Sequence, residues 1–314
     1  MGRRRKSGRS VHGVLLLNKP TGLSSNKVLQ KVRWMFNANR AGHTGALDPL
    51  ASGVLPLCFG EATKFSQYLL DSDKYYRSTY TFGIKTETGD SEGAVIEQRD
   101  ASTISRQQVE DAILNFVGEI DQVPSMYSAL KHNGQPLYKL ARQGIEVERP
   151  ARRISIFEYK ITDFRPGPNP QVDVQVHCSK GTYIRSLAED LGEALGCGAH
   201  VSALHRYRAG PFDEQQTVSL EALEALKEQD AIDQLDSLLM PVDTAVSDRP
   251  MIEFNQIMAG YFQLGQEISA NKVFQQAQEG DIVRVFREGG TFLGIGTVTK
   301  DGKIAPKRLI VEDA

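Results

Sequence analysis

The most chemically suggestive stretch of this 314-residue chain is Gly42-His43-Thr44-Gly45-Ala46-Leu47-Asp48-Pro49-Leu50-Ala51-Ser52-Gly53. It sets one carboxylate, Asp48, against a proline. Pro49 biases the Asp48 backbone toward extended geometry, and glycines at 42, 45 and 53 let another backbone approach closely. Taken alone, Asp-Pro is an ordinary turn. Arg185 falls in the first turn of a helix expected to begin near Thr182. An exposed cation there opposes the helix dipole by ~0.3–1 kcal/mol. The placement makes sense if a carboxylate or a phosphate lies opposite, or if the helix starts a few residues away and the arginine is solvated. Tyr76 sits among the inward-looking positions of a strand and by itself reads as a core tyrosine. His43 reads as a surface or turn residue, or as a ring that could stack on a nucleobase.

Several common chemistries are excluded by motif. The chain has no GxxxxGK[ST] phosphate loop, no HExxH, no paired CxxC, no GxGxxG after a strand and no GxSxG elbow. Carboxylate, tyrosine and arginine chemistry without a cofactor or a metal remains.

These residues need elements to hold them. Gly13–Leu17 reads as a short buried strand closed by the turn Lys19-Pro20-Thr21-Gly22. Ser24 or Ser25 caps a helix carrying Val28, Leu29, Val32, Met35 and Phe36, and Asn37-Ala38-Asn39 ends it. Lys27 and Lys31 share one face of it. A second helix runs from Glu61 through Ala62, Phe65 and Leu69, and a third spans Ser105–Phe116. Residues 75–84 alternate as a strand, as do Val172, Val174, Val176 and Cys178. Residues 123–144 are irregular and mix aromatics with bases. The helix after Ser179-Lys180-Gly181 turns Ile184, Leu187, Leu191 and Leu195 inward. Leu220–Leu226 and Ala231–Leu239 are helical, Pro241 to Pro250 is a linker, and residues 251–314 read as a small all-β domain. In that domain Asp301-Gly302 signals a two-residue hairpin.

Composition bounds the rest. Hydrophobic residues make up 40% and charged residues 24%, as in ordinary globular chains. No apolar run approaches the ~20 residues of a membrane span, and no signal peptide is visible. The three cysteines, Cys58, Cys178 and Cys197, form no disulfide framework and fit a cytosolic setting. The net charge of −2 conceals an asymmetry. Residues 1–80 hold 13 Lys+Arg against 4 Asp+Glu, the remainder 24 against 35. Such a split points to a polyanionic partner near the N-terminal third. Arg3, Arg4, Arg5, Lys6 and Arg9 form a basic tail over residues 1–10 that also reads simply as a solubility tail.

The glycine-rich run around Asp48 resembles the catalytic loop of the TruB-type tRNA pseudouridine-55 synthases. Four further segments match that family in order and spacing across about residues 11–210. Gly13 to Gly22 resembles its lysine–proline motif and Lys74-Tyr75-Tyr76 its tyrosine motif. Pro124 to Lys131, with Leu137 to Gly144, resembles its RNA-gripping insertion (about 123–150). Cys178-Ser179-Lys180-Gly181-Thr182-Tyr183-Ile184-Arg185 resembles its arginine motif. Residues 251–314 resemble the PUA domain of bacterial members. Two departures stand out. Asn18 replaces an aspartate common in relatives, and Ala203-Leu204-His205-Arg206 replaces a Leu-Arg-Arg-type run, so His205 stands where an arginine is often found.

The resemblance implies a mixed α/β catalytic domain over 11–245 on a large, mostly antiparallel sheet, with the small β domain appended. It implies isomerisation of uridine to pseudouridine in the T-loop of tRNA, by a cytoplasmic monomer without cofactor, metal, membrane or protein partner. Asp48 is then the catalytic carboxylate and Tyr76 covers the target base and assists proton removal. Arg185 pairs with Asp48 and lowers its pKa, and Leu204 lines the pocket. His43 fills the space left by the flipped nucleotide, and Lys19, Pro20, Lys64, Tyr183, Lys131 and Arg142 bind RNA. Other readings stay open: an RNA-binding, tRNA-folding chaperone, a pseudouridine synthase for another RNA, and a carbohydrate hydrolase.

Overall fold

The computed structural model describes residues 8–270 and 273–311. Arg3, Arg4, Arg5 and Lys6 of the basic tail lie outside them. Alternating apolar residues build a ten-stranded sheet. Its main path runs Val218–Ser219, Gly13–Lys19, Ser52–Phe59, Ala199–Ala209, Lys74–Phe82, Gln171–Cys178, Arg152–Arg165 and Gly118–Gln122. Ala41–His43 and Phe212–Asp213 join at its side. Neighbours are antiparallel except at Val218–Ser219 with Gly13–Lys19 and at Ala199–Ala209 with Ser52–Phe59. The sheet is therefore mixed and mostly antiparallel.

One face of this sheet holds the main core. Val28, Leu29 and Val32 from the helix Ser25–Met35 pack with Leu187 and Leu191 from the helix Ile184–Ala194. Leu15, Leu57, Tyr80, Val174 and Val201 come up from the strands beneath. Register then decides what faces the space between those helices. Tyr76 lies beside Val176 on one side and Arg206 on the other, and Arg206 lies beside Gly53. The aspartate loop is the link that leads into Gly53.

The C-terminal part forms a second, five-stranded sheet in the order Met251–Phe254, Ile282–Arg287, Thr291–Val298, Lys303–Leu309 and Ile268–Ser269. Its own core includes Phe254, Phe262 and Val283. It packs on the large sheet through Ile295 and Phe292 against Val54, Phe65 and Val246, with the Phe65 and Phe292 rings 5.5 Å apart.

Several expectations are corrected. The segment from Glu61 is a 3-10 turn (Gly60–Lys64) followed by a short helix (Ser66–Asp71). The third helix ends at Ile113 and continues as a 3-10 turn to Phe116. The C-terminal unit is not all β, because Asn255 caps a helix over Gln256–Gln263. Asp301-Gly302 closes a four-residue link between Val298 and Lys303 rather than a two-residue hairpin. The stretch expected to be a linker is a 3-10 turn, Val242–Val246, with Ala245 and Val246 buried. No helix among the described residues is long and apolar enough to cross a membrane.

Candidate active site

The glycine-rich run is shorter as a loop than its composition suggests. Ala41–His43 and Ser52–Phe59 are paired strands, so the free link is residues 44–51. Backbone and side chains pin it at nearly every step. The Ser25 hydroxyl donates to the Leu47 carbonyl (3.0 Å) and accepts from the Leu47 N–H (2.7 Å). Gly22 N–H donates to Pro49 O (2.8 Å), and Ala51 N–H donates to Asp48 O (3.1 Å). Gly53 is forced by geometry. Its φ is +105°, and a Cβ there would sit 2.2 Å from the Arg206 carbonyl oxygen.

Lys19 is the main strut. It is fully buried and donates to Ala51 O (2.6 Å), Pro20 O (2.8 Å) and Pro49 O (3.5 Å). Burial pushes its pKa down to about 8, against the pull of Asp48 and Glu92. The expectation of an RNA contact is corrected here: with no exposed surface, the ammonium holds the loop instead. Pro20 contributes a carbonyl to the same cluster.

Arg185 enters from the first turn of its helix, which starts at Ile184 behind an extended Tyr183. It is 4% exposed. Its Nε lies 2.9 Å from Asp48 Oδ2 and 3.7 Å from Asp90 Oδ2. Nη1 donates to Thr88 O (2.6 Å) and Nη2 to Tyr127 O (2.8 Å). The anion that an arginine in a first turn calls for is thus Asp48, with Asp90 behind it. Gln122 fixes the helix start by exchanging two hydrogen bonds with the Tyr183 backbone (2.8 and 3.1 Å).

Asp48, Tyr76, Tyr183, Arg185 and Leu204 all line one cavity of about 260 Å³, with Ser128 of the insertion and Arg206. The Asp48 side chain keeps 39% of its surface open toward that space. Dense protein on its other sides still raises its pKa above the ordinary carboxylate value, while Arg185 pulls the other way. Arg185 lowers the value as expected, but burial outweighs that pull. Tyr76 is buried and its phenol is raised by that burial, with Arg206 opposing. The His43 ring is lowered by burial and by Arg206, and its buried Nδ1 has no hydrogen-bond partner.

The remaining predicted residues lie elsewhere. Lys64 binds Glu61 and donates to Leu309 O (2.9 Å), tying the two sheets together. Lys131 and Arg142 are exposed on the insertion, Arg142 over the Tyr138 ring at 5.7 Å. His205 points to the opposite face of the sheet, between Ser52 Oγ and Glu214 Oε2, at 2.8 Å from each. Three site residues were not singled out from the sequence. Asp90 is buried in the turn Thr86–Gly93, accepting from Thr88 Oγ1 (2.5 Å). Lys74 is buried at the cavity wall, its pKa pushed down to about 8 by burial. Arg206 forms part of the cavity lining. Asp90 had a local signal, an acidic turn flanked by Gly89 and Gly93. Arg206 had none beyond lying two residues from Leu204, on the same face of its strand.

Comparison with known proteins points to one family. The N-terminal domain of TruB family pseudouridylate synthases matches residues 33–184. A tRNA pseudouridylate synthase B C-terminal domain matches residues 185–247, and a pseudouridine synthase II TruB C-terminal domain matches 250–310. The chain is 53% identical over 310 residues to tRNA pseudouridine synthase B of Saccharophagus degradans, covering 99% of each chain. It is 52% identical over 302 residues to that of Pseudomonas aeruginosa, covering 96% and 97%. A Cbf5–Nop10–Gar1 complex contains a similar chain (TM-score 0.70, 26% identity, 96% and 84% covered). An H/ACA RNP bound to a substrate RNA containing 2′-deoxyuridine shares the fold (TM-score 0.71, 21% identity, 99% and 92% covered).

Proposed function

The chain belongs to the TruB family of pseudouridylate synthases, and on that premise we propose that it converts uridine 55 in the T-loop of tRNA with Asp48 as its catalytic carboxylate. It is a tRNA pseudouridine synthase; the position in the tRNA and the roles below are our reading. The observation that carries them is the Asp48–Arg185 ion pair opening onto a cavity that Tyr76 and Leu204 also line.

The reaction breaks the C1′–N1 bond, turns the uracil and joins C5 to C1′. No group is imported and no oxidation state changes overall, so the chain's own residues suffice. Breaking a glycosidic bond builds positive charge on the sugar, which an ionised carboxylate can stabilise or capture. Arg185 holds Asp48 in place and favours its ionised form against the burial that opposes it. A small cavity of about 260 Å³ limits the escape of the free base. The base must first leave its stack, and His43, on the strand that leads into the loop, can occupy the space it vacates. Lys131 and Arg142, exposed near Ser128, supply phosphate contacts. The C-terminal sheet is a PUA-type RNA-binding unit. The protein acts as a cytoplasmic monomer.

Asp48→Asn tests the core of this reading. Binding to a T-arm hairpin should persist while pseudouridine, mapped at position 55, disappears. Turnover by the asparagine variant excludes Asp48 as the essential carboxylate. Modification of rRNA fragments in preference to the T-arm overturns the substrate.

A further inference from the structure

Arg206 is 1% exposed and heads the fully buried side chains by size. Its Nε donates to Val54 O (2.8 Å) and its Nη2 to Gly45 O (3.0 Å), and the Tyr76 hydroxyl is its third polar neighbour. Among the described residues it makes no ion pair. A buried guanidinium without a carboxylate is costly, and the other buried cations of the site differ from it in kind. Arg185 has Asp48 and Asp90. Lys19 spends its three N–H groups on Pro20, Pro49 and Ala51 carbonyls. Lys74 spends its three on Leu69, Leu70 and Ser72 carbonyls. Arg206 has five N–H donors, more than its three neighbours use, and it lines the cavity. Arg206 therefore brings to the cavity a positive charge that pairs with no carboxylate among the described residues, together with N–H donors that its neighbours leave free.

The chemistry supplies a matching negative charge. Heterolysis of C1′–N1 leaves the bonding pair on N1, delocalised onto O2 and O4 of uracil. The positive charge stays at C1′, where the Asp48 carboxylate receives it. C5 then attacks C1′, the C5 proton leaves to a base, and N1 takes up a proton, so the net change is isomerisation. We propose that Arg206 is a second catalytic residue, donating to a uracil carbonyl oxygen and stabilising the base as it departs as an anion. This rests on the assignment of Asp48 to the sugar. Arg185 then serves the carboxylate at C1′ and Arg206 serves the leaving base.

The test compares two RNAs in the full-length protein. Fluorine at C5 stabilises the uracil anion, so a 5-fluorouridine T-arm hairpin needs less help in releasing its base. Arg206→Gln should slow conversion of the uridine hairpin by about 10²–10³-fold, the loss typical of a missing oxyanion donor. Its deficit on the 5-fluorouridine hairpin, read as loss of 5-fluorouridine from digested RNA, should be about tenfold smaller. Arg206→Lys, which keeps the charge, should fall between. The ratio of the two rates within one preparation does not depend on how much of the variant has folded. Equal deficits on both RNAs reduce Arg206 to a positioning residue and overturn the inference, while leaving the Asp48 assignment intact. Activity in Asp48→Asn strikes that assignment instead.

Discussion

Replacing Lys19 with methionine should separate stability from activity. The side chain is fully buried, and burial lowers its pKa from the ordinary 10.5 to about 8. At about 1.4 kcal/mol per pH unit, holding the charge at neutral pH costs roughly 3 kcal/mol. Methionine removes that cost. It also strips a donor from Ala51 O and Pro20 O, at about 1–3 kcal/mol for each buried carbonyl left unpaired; the 3.5 Å contact to Pro49 O adds little. The two effects largely offset, so unfolding free energy should fall by no more than ~3 kcal/mol. Activity should fall far more, because the loop carrying Asp48 loses its strut and a misplacement of ~1 Å can cost ~10²-fold. The assay is single-turnover pseudouridine formation beside thermal unfolding of the same samples. The sign of the pH effect follows. Between pH 8 and 10.5 the unfolded chain keeps the Lys19 proton that the folded chain has released, so wild-type stability relative to Lys19→Met should rise over that window. A variant with normal single-turnover rate but weakened RNA affinity would refute the argument and return Lys19 to the role of an RNA contact.

Other outcomes follow from the same geometry. Activity needs ionised Asp48, whose pKa is raised by burial, so the acid limb of the pH–rate profile should lie above the ordinary carboxylate range. Arg185→Gln removes the opposing pull and should move that limb higher still; a limb at or below pH 3.8 contradicts the burial argument. Gly53→Ala combines a φ of +105° with a Cβ 2.2 Å from a carbonyl oxygen, and thermal unfolding should show a loss of about 3 kcal/mol or more. Binding of tRNA should weaken steeply with salt. Lys131→Ala with Arg142→Ala should flatten the log–log slope by about 2, and an unchanged slope removes both from the phosphate contacts.

Local signals were legible where one element decided them. The Ser24 cap, the alternation of Gln171–Cys178 and the inward face of Ile184–Ala194 need only neighbours in sequence. Arg185 was legible because a cation in a first turn must answer to something. The strand Ala199–Ala209 was not, although it lies near the sheet's centre: its polar His205, Arg206 and Arg208 hide the alternation. With that strand went Arg206, whose burial depends on a parallel pairing with Ser52–Phe59, over 140 residues away. Lys19 was legible as functional but not as buried, since nothing in Lys-Pro-Thr-Gly shows that three carbonyls converge on the ammonium.

The placement of charge explains why the fold tolerates such a site. Four cations, Lys19, Lys74, Arg185 and Arg206, are buried around it, and among them only Arg185 makes ion pairs among the described residues, to Asp48 and Asp90. Two of the cations pay in depressed pKa values of about 8, and Arg206 in turn lowers His43. A hydrophobic interior of the same shape would be more stable. The excess charge therefore answers to what enters the cavity rather than to folding. Its carriers are also backbone staples: Lys19 across the aspartate loop, Lys74 at the end of the helix Ser66–Asp71, and Arg206 between Gly45 and Val54. Each staple donates to backbone carbonyl oxygens of the site's walls, so removing a cation damages geometry and electrostatics together. That coupling is why the Arg206 test compares two substrates within one variant: loss of geometry slows both RNAs alike, whereas loss of charge slows the poorer leaving group more.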